Sequence, residues 1–329
     1  MYTKYLNMEY EYQRYVTDID NLKKALELYG VAIIPNVLND DECNKINSGI
    51  WDFFEYITSK WNIPINRNDV KTWKGLFDLY PLHSQLFKGL RSGQAQVSWD
   101  VRQNIKLVKI FAKLWDCDID DLLVSFDSFS FCLPPEITNK GWNGRSWFHT
   151  DQSYTRNDLE CIQSWVTAND VEVGDSTLAI MEGSHKYHKE FSEKFNCNDK
   201  SDWYKLNSEE EKFYFEKKCK YKRIKCPKGS LVLWDSRTIH YGTNPEKKRK
   251  NQNFRAVIYL CYLPRSHTTI KNLEKKKNAF YKKRTTNHWP NKSELVNEKP
   301  NTYGNVMPEI LEPPEPKLEE IGERLAGLY

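Results

Sequence analysis

The chain has 329 residues, 39% of them hydrophobic, and carries 49 Lys and Arg against 45 Asp and Glu, a formal net charge of +4. Aromatic residues alone make up 14%, which excludes a chain disordered over its whole length, because disordered sequences are poor in rings and β-branched residues. With only 14 Gly and 14 Pro it is not a collagen-like repeat, and no apolar run approaches the ~20 residues that span a bilayer.

The cysteines indicate a reducing compartment. The chain has 8 Cys, scattered without a Cys-x-x-Cys pair, and several fall in apolar runs where a free thiol behaves as a small hydrophobe. This pattern argues against a disulfide framework and against a structural zinc cluster. The first thirty residues interleave charges and lack the apolar block of a signal peptide. We therefore expect an intracellular protein, in the cytoplasm, with no membrane span.

The first third of the chain, residues 1–121, is mostly helical by its patterning. Residues 18–29 predict a helix closed by a glycine, and a short apolar strand follows. Asn39 is placed as the N-cap of a second helix that opens with three acidic residues. Residues 60–100 show no clear period and predict irregular structure, whereas 105–115 predict an amphipathic helix.

From residue 122 onward the pattern changes to short apolar strands. They fill residues 122–265, bounded by Gly, Pro, Asn and Asp, with one polar insertion at about 186–222. Strands without regular intervening helices argue against a doubly wound α/β sheet and favour an α+β, mainly β fold, a barrel or sandwich clad by the N-terminal helices. The segment 266–329 is polar, with a basic stretch at 271–284 and a proline-rich piece at 312–316 that leads into a short final helix.

The first candidate site is the triplet His149-Thr150-Asp151 at the end of an apolar strand. Alternation along an extended chain places His149 and Asp151 on the same side, where both could bind one ion. Alone the triplet is weak, since a chain of this composition contains about one His-x-acid by chance. The alternative is a strand-end histidine beside a solvated carboxylate.

Two further residues strengthen the metal interpretation. His240 follows an apolar strand and a turn, and Arg255 lies fifteen residues later inside another apolar strand. A buried arginine is costly unless it pairs with an internal carboxylate or with the carboxylate of a ligand. Two histidines, one carboxylate and a buried guanidinium fit a non-haem iron(II) oxygenase that uses a 2-oxo acid, with the arginine binding the distal carboxylate.

Four segments in order resemble one family. The chain is similar to the phytanoyl-CoA dioxygenase-like family of iron(II)/2-oxoglutarate oxygenases in residues 22–46, 147–152, 164–186 and 228–260. The resemblance implies a double-stranded β-helix (a cupin-like jelly-roll barrel) with N-terminal helical cladding, in one catalytic domain. It also implies iron(II) as cofactor, 2-oxoglutarate as co-substrate, and O2. The tail beyond about residue 266 is not covered.

The resemblance assigns roles to individual residues. It implies that His149, Asp151 and His240 bind the iron and that Arg255 binds the distal carboxylate of 2-oxoglutarate. Trp165 occupies a position beside the co-substrate, with simple core packing as an equal alternative.

Other assignments are looser. The family often places a hydroxyl shortly after the distal histidine; Gly242 stands there, so Thr243 is the nearest candidate for a second anchor. Arg237 is a rival to the anchoring arginine but lies in a turn. Trp142 and Arg145 are candidates for contacting substrate, on the ground of position alone.

The presence of Asp151 predicts hydroxylation rather than halogenation, because related halogenases lack this carboxylate. The expected reaction converts 2-oxoglutarate to succinate and CO2 while a C–H bond of a small molecule is oxidised. The neighbouring histidines His185 and His188 belong to a Gly-Ser-His turn in this family, so a structural role is predicted for both.

Two alternatives remain. The basic residues 247–250 and 271–284 are compatible with a nucleic-acid-binding or nucleic-acid-modifying protein. A net charge of +4 is modest, however, and a solvated loop and a solvated helix face explain these segments, so we do not expect a nucleic-acid partner. The second alternative, a non-catalytic binding module on the same fold, would be favoured by a missing triad residue, and the sequence has all three.

Overall fold

The structure is a computed structural model that describes residues 8–79, 86–142, 146–299, 306 and 308–329. Its helices are α1 Leu22–Tyr29, α2 Asp40–Ile57, α3 Gly75–Leu79, α4 Gln96–Arg102, α5 Ile105–Trp115, α6 Pro135–Thr138, α7 His188–Phe195, α8 Ser208–Glu216, α9 Ile270–Tyr281 and α10 Glu320–Ala326. Its strands are β1 Glu9–Glu11, β2 Val31–Ile34, β3 Leu122–Val124, β4 Phe129–Cys132, β5 His149–Thr150, β6 Ile162–Thr167, β7 Leu178–Glu182, β8 Tyr204–Lys205, β9 Lys220–Ile224, β10 Leu231–Asp235, β11 His240–Gly242, β12 Arg255–Leu260 and β13 Tyr262–Pro264.

Two main sheets face each other. The larger has six strands in the order β1-β9-β7-β11-β5-β8, and the second has five antiparallel strands in the order β2-β10-β6-β12-β4. Side chains of both sheets meet between them in a buried cluster that includes Ile180 from β7, Trp165 from β6 and Val257 from β12. This two-layered, mainly antiparallel arrangement is the cupin-like jelly roll that the sequence predicts.

Strand alternation separates an inner face from an outer face on the five-stranded sheet. On β6, Trp165 lies in the cluster between the sheets, whereas its neighbour Val166 belongs to the largest hydrophobic cluster, on the opposite face. Ala256 and Ile258 of β12 lie in that same outer cluster, which leaves Arg255 and Val257 on the inner face. The inner face therefore carries the polar candidates from the sequence.

The N-terminal helices cover the outer face, as predicted. Helix α2 begins with a capping box: the Asn39 side chain accepts the backbone N–H of Glu42, and the Glu42 carboxylate accepts the backbone N–H of Asn39. Helix α5 has the predicted bounds. The prediction of irregular structure for residues 60–100 is wrong in part, because α3 and α4 form there; both are under two turns long, too short to show a helical period.

The C-terminal extension is packed into the molecule. Helix α9 buries Lys276 and Phe280, and helix α10 buries Leu325. The Lys276 ammonium donates to the carbonyl of Val124 and lies 3.8 Å from the centre of the Phe126 ring. The expectation that the 271–284 stretch is a solvated helix face is therefore wrong for Lys276, which is 1% exposed.

The polar insertion at 186–222 forms regular structure. It contributes α7, β8 and α8, and β8 pairs with β5 beside the first candidate ligand. Within the described ranges, no helix is long and apolar enough to cross a membrane.

Candidate metal centre

The two candidate histidines lie on neighbouring antiparallel strands. His149 of β5 is paired directly with His240 of β11, and their ring centres are 4.4 Å apart. Asp151 directly follows β5, and its backbone N–H donates to the carbonyl of Ser236, the residue after β10. The candidate ligand atoms of His149, Asp151 and His240 all lie within 4.8 Å of one another. Sequence positions 91 residues apart are thus joined by strand pairing.

Both imidazoles are oriented by backbone carbonyls. Nδ1 of His149 lies 3.0 Å from the carbonyl oxygen of Trp147, and Nδ1 of His240 lies 2.8 Å from that of Thr238. Because a carbonyl oxygen only accepts, each Nδ1 carries the proton, and each neutral ring presents the lone pair of Nε2. Metal-bound histidines in proteins are fixed in this way.

The two Nε2 atoms point toward the same carboxylate. Nε2 of His149 is 3.5 Å from Oδ1 of Asp151, and Nε2 of His240 is 3.2 Å from Oδ2. Burial alone would raise the pKa of Asp151, but electrostatic interaction with His149 and His288 holds that pKa well below its usual range. Burial lowers the pKa of His149, which disfavours protonation of its ring. Two imidazole nitrogens and an ionised carboxylate that converge in this way offer three donors to one cation, and this donor set fits iron(II).

Neighbouring side chains hold the triad in place. The Gln163 side-chain amide donates to Oδ2 of Asp151 at 3.0 Å. The Trp147 ring stacks on His149 with ring centres 4.5 Å apart and planes 6° apart, and Trp234 lies 5.5 Å from His240. These contacts limit rotation of each candidate ligand.

Arg255 extends into the space between the sheets, where it is 6% exposed. Within the described part of the chain its hydrogen bonds go to Ser130 Oγ at 3.2 Å, to the Ser176 carbonyl at 3.2 Å and to the Tyr259 hydroxyl at 3.4 Å. None of these partners is a carboxylate. A buried guanidinium with neutral partners is suited to bind the carboxylate of a ligand.

Strand β6 connects this arginine to the triad. The guanidinium carbon of Arg255 lies 5.5 Å from the centre of the Trp165 ring. Trp165 is two residues from Gln163 on the same face, about 7 Å along the strand. The indole N–H of Trp165 is buried and has no hydrogen-bond partner in the described part of the chain. A small dicarboxylate could therefore extend from the triad to Arg255. It would pass the indole N–H of Trp165, which has no partner among the described residues.

Thr243 lies near this arginine but its hydroxyl is engaged. Its Oγ1 accepts the backbone N–H of Thr177 at 3.2 Å and donates to the carbonyl of Thr177 at the same distance. Its role as second anchor stays a prediction. The hydroxyls that contact the guanidinium directly, those of Ser130 and Tyr259, were not found by sequence reasoning, because no motif marks them.

Three other residues named from the sequence are Trp142, Arg145 and Arg237. Trp142 is half-buried in the loop between α6 and β5, and Arg145 lies outside the described residues. Arg237, the rival anchor, is used elsewhere: its guanidinium pairs with Asp235 at 2.7 Å. Sequence reasoning also missed Gln163, although strand alternation places it on the inner face beside Asp151.

The histidines of the Gly-Ser-His segment are structural, as predicted. Ser184–Tyr187 forms a 3-10 turn, and α7 follows it directly. The His185 Nε2 is 3.1 Å from the carbonyl oxygen of Glu27, and the His188 Nε2 is 3.2 Å from that of Ser153. Neither residue belongs to the triad cluster.

Comparison with known families places this centre in context. The family model described as "Phytanoyl-CoA dioxygenase (PhyH)" matches residues 26–249, which include all three triad residues. The chain belongs to the phytanoyl-CoA dioxygenase family. The predicted family, and with it the reliance on iron(II), 2-oxoglutarate and O2, is confirmed at the level of the family. The roles of individual residues stay predictions.

Two curated relatives are similar over different lengths. The "Ava biosynthesis cluster protein O" of Aspergillus versicolor is 28% identical over 202 residues, 59% of this chain, and the match spans 63% of the relative's length. A "Putative phytanoyl-CoA dioxygenase" of Dictyostelium discoideum is 25% identical over 305 residues, 79% of this chain and 80% of the relative.

A solved structure supports the fold alone. The crystal structure of GlcNAc Inducible Gene 2 (GIG2) from Candida albicans aligns with a TM-score of 0.58 at 13% identity, covering 95% of this chain and 77% of that one.

Proposed function

We propose that this protein is an iron(II)- and 2-oxoglutarate-dependent dioxygenase that hydroxylates a C–H bond of a small molecule. One observation carries the proposal: the candidate ligand atoms of His149, Asp151 and His240 lie within 4.8 Å of one another, and Nδ1 of each histidine faces a backbone carbonyl. The second requirement, a carboxylate anchor, is supported by Arg255, whose guanidinium has only neutral hydrogen-bond partners within the described ranges.

Each residue has a defined task in this proposal. His149, Asp151 and His240 hold the metal, and the carbonyls of Trp147 and Thr238 fix the ring tautomers so that Nε2 faces it. When bound, iron(II) with 2-oxoglutarate and O2 supplies oxidative decarboxylation to succinate and CO2, coupled to oxidation of the substrate.

The co-substrate is bound at the far end of the same space. Arg255 binds its distal carboxylate, and the indole N–H of Trp165, which has no hydrogen-bond partner among the described residues, can donate to a ligand oxygen. The aliphatic and aromatic side chains between the sheets exclude water from the reaction, which strengthens each of these electrostatic contacts. Trp142 and Arg145 are proposed to contact substrate.

Hydroxylation is the proposed outcome because Asp151 fills a coordination position. In halogenases that lack this carboxylate, the halide takes its place as a metal ligand. With Asp151 as a ligand, that place is not open to a halide. Gln163 supports this arrangement, since its amide donates to the Asp151 carboxylate and orients it.

The proposal is tested by anaerobic titration of the purified protein with iron(II) and then with 2-oxoglutarate. We expect a weak visible charge-transfer band for wild type, and its loss for His149→Ala and Asp151→Ala, because each variant removes one of three ligands. His267→Ala is the matched control: His267 is exposed and distant in sequence from the triad, and its variant should keep the band. Wild type that gives neither the band nor succinate with a broad substrate panel would contradict the proposal.

A further inference from the structure

Two exposed tryptophans lie beside the candidate metal centre. The chain has 11 Trp, and all of them fall in the described ranges. Trp147 is 37% exposed and Trp203 is 49% exposed, whereas the others are buried or half-buried. Both exposed indoles contact the same candidate ligand: the centre of the His149 ring lies 4.5 Å from that of Trp147 and 5.8 Å from that of Trp203.

Strand pairing places the Trp203 side chain on the face of the triad. Strand β8 pairs antiparallel with β5, and Lys205 lies opposite His149. Continued by two residues, this register sets Trp203 opposite Asp151. Residues that face each other across antiparallel strands project to the same side of the sheet, so Trp203 shares the face of both ligands. In the described part of the chain β8 is the edge strand of its sheet, which puts Trp203 at the rim of the site.

The residue next to Trp203 is held in place by three contacts. The carboxylate of Asp202 forms an ion pair with Arg156 and another, at 2.5 Å, with Lys292. It also accepts the backbone N–H of Ser153 at 3.3 Å. The backbone that carries Trp203 is thus fixed before a ligand arrives, and little conformational freedom remains to be lost on binding.

Exposed indoles at a small-molecule site indicate a binding surface. A ring face left in water forgoes the favourable burial of a core tryptophan, and exposed apolar patches on proteins often mark binding sites. Contact with His149 leaves part of the Trp147 and Trp203 rings uncovered. A flat ring can cover an indole face, and the two π systems then add an attraction beyond the buried area.

The charges of the site favour a planar group without positive charge. Indole faces also attract cations, so an organic cation is the competing ligand. Lys205, however, is exposed on the same face directly opposite His149, and the bound metal is itself a cation. Both would repel a positively charged ligand, whereas a neutral aromatic ring would not be repelled.

We propose that Trp203 and Trp147 form a substrate-binding surface, and that the substrate carries a planar aromatic group that stacks on Trp203 beside the metal centre. The inference rests on the proposed function and adds the class of substrate to it. Trp203 then determines specificity without binding the metal. Because Trp147 also supports His149, the test is made at Trp203.

The test uses the full-length protein, loaded anaerobically with iron(II) and saturating 2-oxoglutarate, and isothermal titration calorimetry with two neutral probes. Naphthylmethanol is planar and aromatic, and its saturated analogue decalylmethanol has the same carbon skeleton without aromatic rings. We expect wild type to bind naphthylmethanol more tightly than decalylmethanol. Trp203→Leu should weaken naphthylmethanol binding about 2- to 10-fold, the contribution typical of an aromatic pair. Its affinity for decalylmethanol should change less than about 2-fold, because leucine keeps an apolar surface.

Two further variants complete the experiment. Trp203→Phe keeps an aromatic ring and should recover part of the lost naphthylmethanol affinity, while its affinity for decalylmethanol stays near that of wild type. Tyr281→Leu is the matched control, since Tyr281 is an aromatic residue of α9 that is 64% exposed. This control should match wild type with both probes.

The inference is wrong if wild type shows no preference for naphthylmethanol or if Trp203→Leu binds it as wild type does. It is also wrong if the loaded protein binds tetramethylammonium more tightly than naphthylmethanol and Trp203→Leu loses that binding. A Trp203→Leu variant that fails to load iron(II), while Tyr281→Leu loads normally, would assign Trp203 to the support of His149 and would likewise overturn the inference. Absence of the charge-transfer band in wild type would instead contradict the proposed function, so the two failures are distinguishable.

Discussion

The buried arginines of this protein differ in their hydrogen-bond and ion-pair partners. Arg102 is fully buried and donates to the backbone carbonyls of Gly93 and Asp127, and burial lowers its pKa to about 10. Arg249 is 2% exposed at its side chain and pairs with two carboxylates. Arg255 faces the space between the sheets with hydroxyl and carbonyl partners. A carboxylate from a ligand would therefore complete Arg255, whereas Arg249 already has two carboxylate partners.

Replacing Arg255 should separate co-substrate binding from metal binding. We expect Arg255→Gln to weaken 2-oxoglutarate binding about 10- to 100-fold, because hydrogen bonds to a charged group contribute ~1.5–3 kcal/mol. Affinity for iron(II) alone should be unchanged, since Arg255 is not in the triad cluster. Titration of the charge-transfer band measures the first quantity, and competition with a chelator the second.

The same titration identifies the second anchor. Ser130→Ala should weaken 2-oxoglutarate binding more than Thr243→Val, because Ser130 contacts the guanidinium whereas the Thr243 hydroxyl is bonded to the Thr177 backbone. The opposite order would favour Thr243, as the sequence predicts.

At the scale of elements, the loop between β11 and β12 is held by ion pairs. Arg249 contacts Glu136 of α6 at 2.8 Å and Asp175, before β7, at 2.6 Å. The expectation that residues 247–250 form a solvated basic loop is therefore wrong for Arg249, although Lys247, Lys248 and Lys250 are exposed. The pairing positions the start of β12, where Arg255 lies.

Arg249→Ala should cost about 3–5 kcal/mol in the free energy of unfolding, since removal of one partner leaves buried carboxylates uncompensated. Urea unfolding followed by circular dichroism measures this loss. Lys248→Ala is the control, because Lys248 is an exposed lysine of the same loop. Its free energy of unfolding should lie within about 0.5 kcal/mol of that of wild type. Equal stabilities for the two variants would show that the buried pairs contribute little.

At the scale of the whole molecule, helices from both ends of the chain share one core. The largest cluster joins Phe54 of α2, Ile258 of β12 and Leu325 of α10. We therefore predict that the catalytic unit and its C-terminal extension unfold together as one domain. Several buried histidines, including His188 at 1% exposure, must accept protons when the chain unfolds in acid.

Stability should accordingly fall as the pH falls from about 6.5 to 4. Burial lowers the pKa of His188 to about 4, so between this value and the unfolded value of ~6.5 the unfolded chain binds more protons. The contribution is fully present above ~pH 6.5 and is lost toward pH 4, by up to ~1.4 kcal/mol per pH unit. Urea unfolding at pH 7.5, 6 and 5 measures it.

The variant His188→Gln keeps a donor for the Ser153 carbonyl and removes the ionisable ring, so its stability should depend less on pH than that of wild type. His267→Gln, at an exposed site, should keep the wild-type slope. If the free energy of unfolding depends on pH in the same way in all three proteins, His188 is not buried in its neutral form. Coincident transitions by near- and far-ultraviolet circular dichroism would support one domain.

The sequence predicts those features of the fold that depend on the local spacing of apolar and polar residues. The sequence predicts helix α5 at its observed bounds because its apolar residues recur at helical spacing over three turns. It indicates the candidate triad because His149 and Asp151 are two residues apart at the end of one strand. Residues contributed singly from distant segments are missed: Ser130 and Tyr259 belong to no motif, and only the tertiary fold brings Ser130 to the Arg255 guanidinium. Charge pattern also does not reveal which cation is buried, as Lys276 shows.

The stacking of Trp147 on His149 has a practical consequence. A metal ion bound to His149 would lie next to an indole whose ring is parallel to the ligand at 4.5 Å. Paramagnetic ions at such short range quench fluorescence efficiently, and Trp147 is 37% exposed, so its emission is red-shifted relative to that of fully buried tryptophans. If His149 binds the metal as proposed, we therefore expect the fluorescence of Trp147 to fall when iron(II) binds, without any substrate.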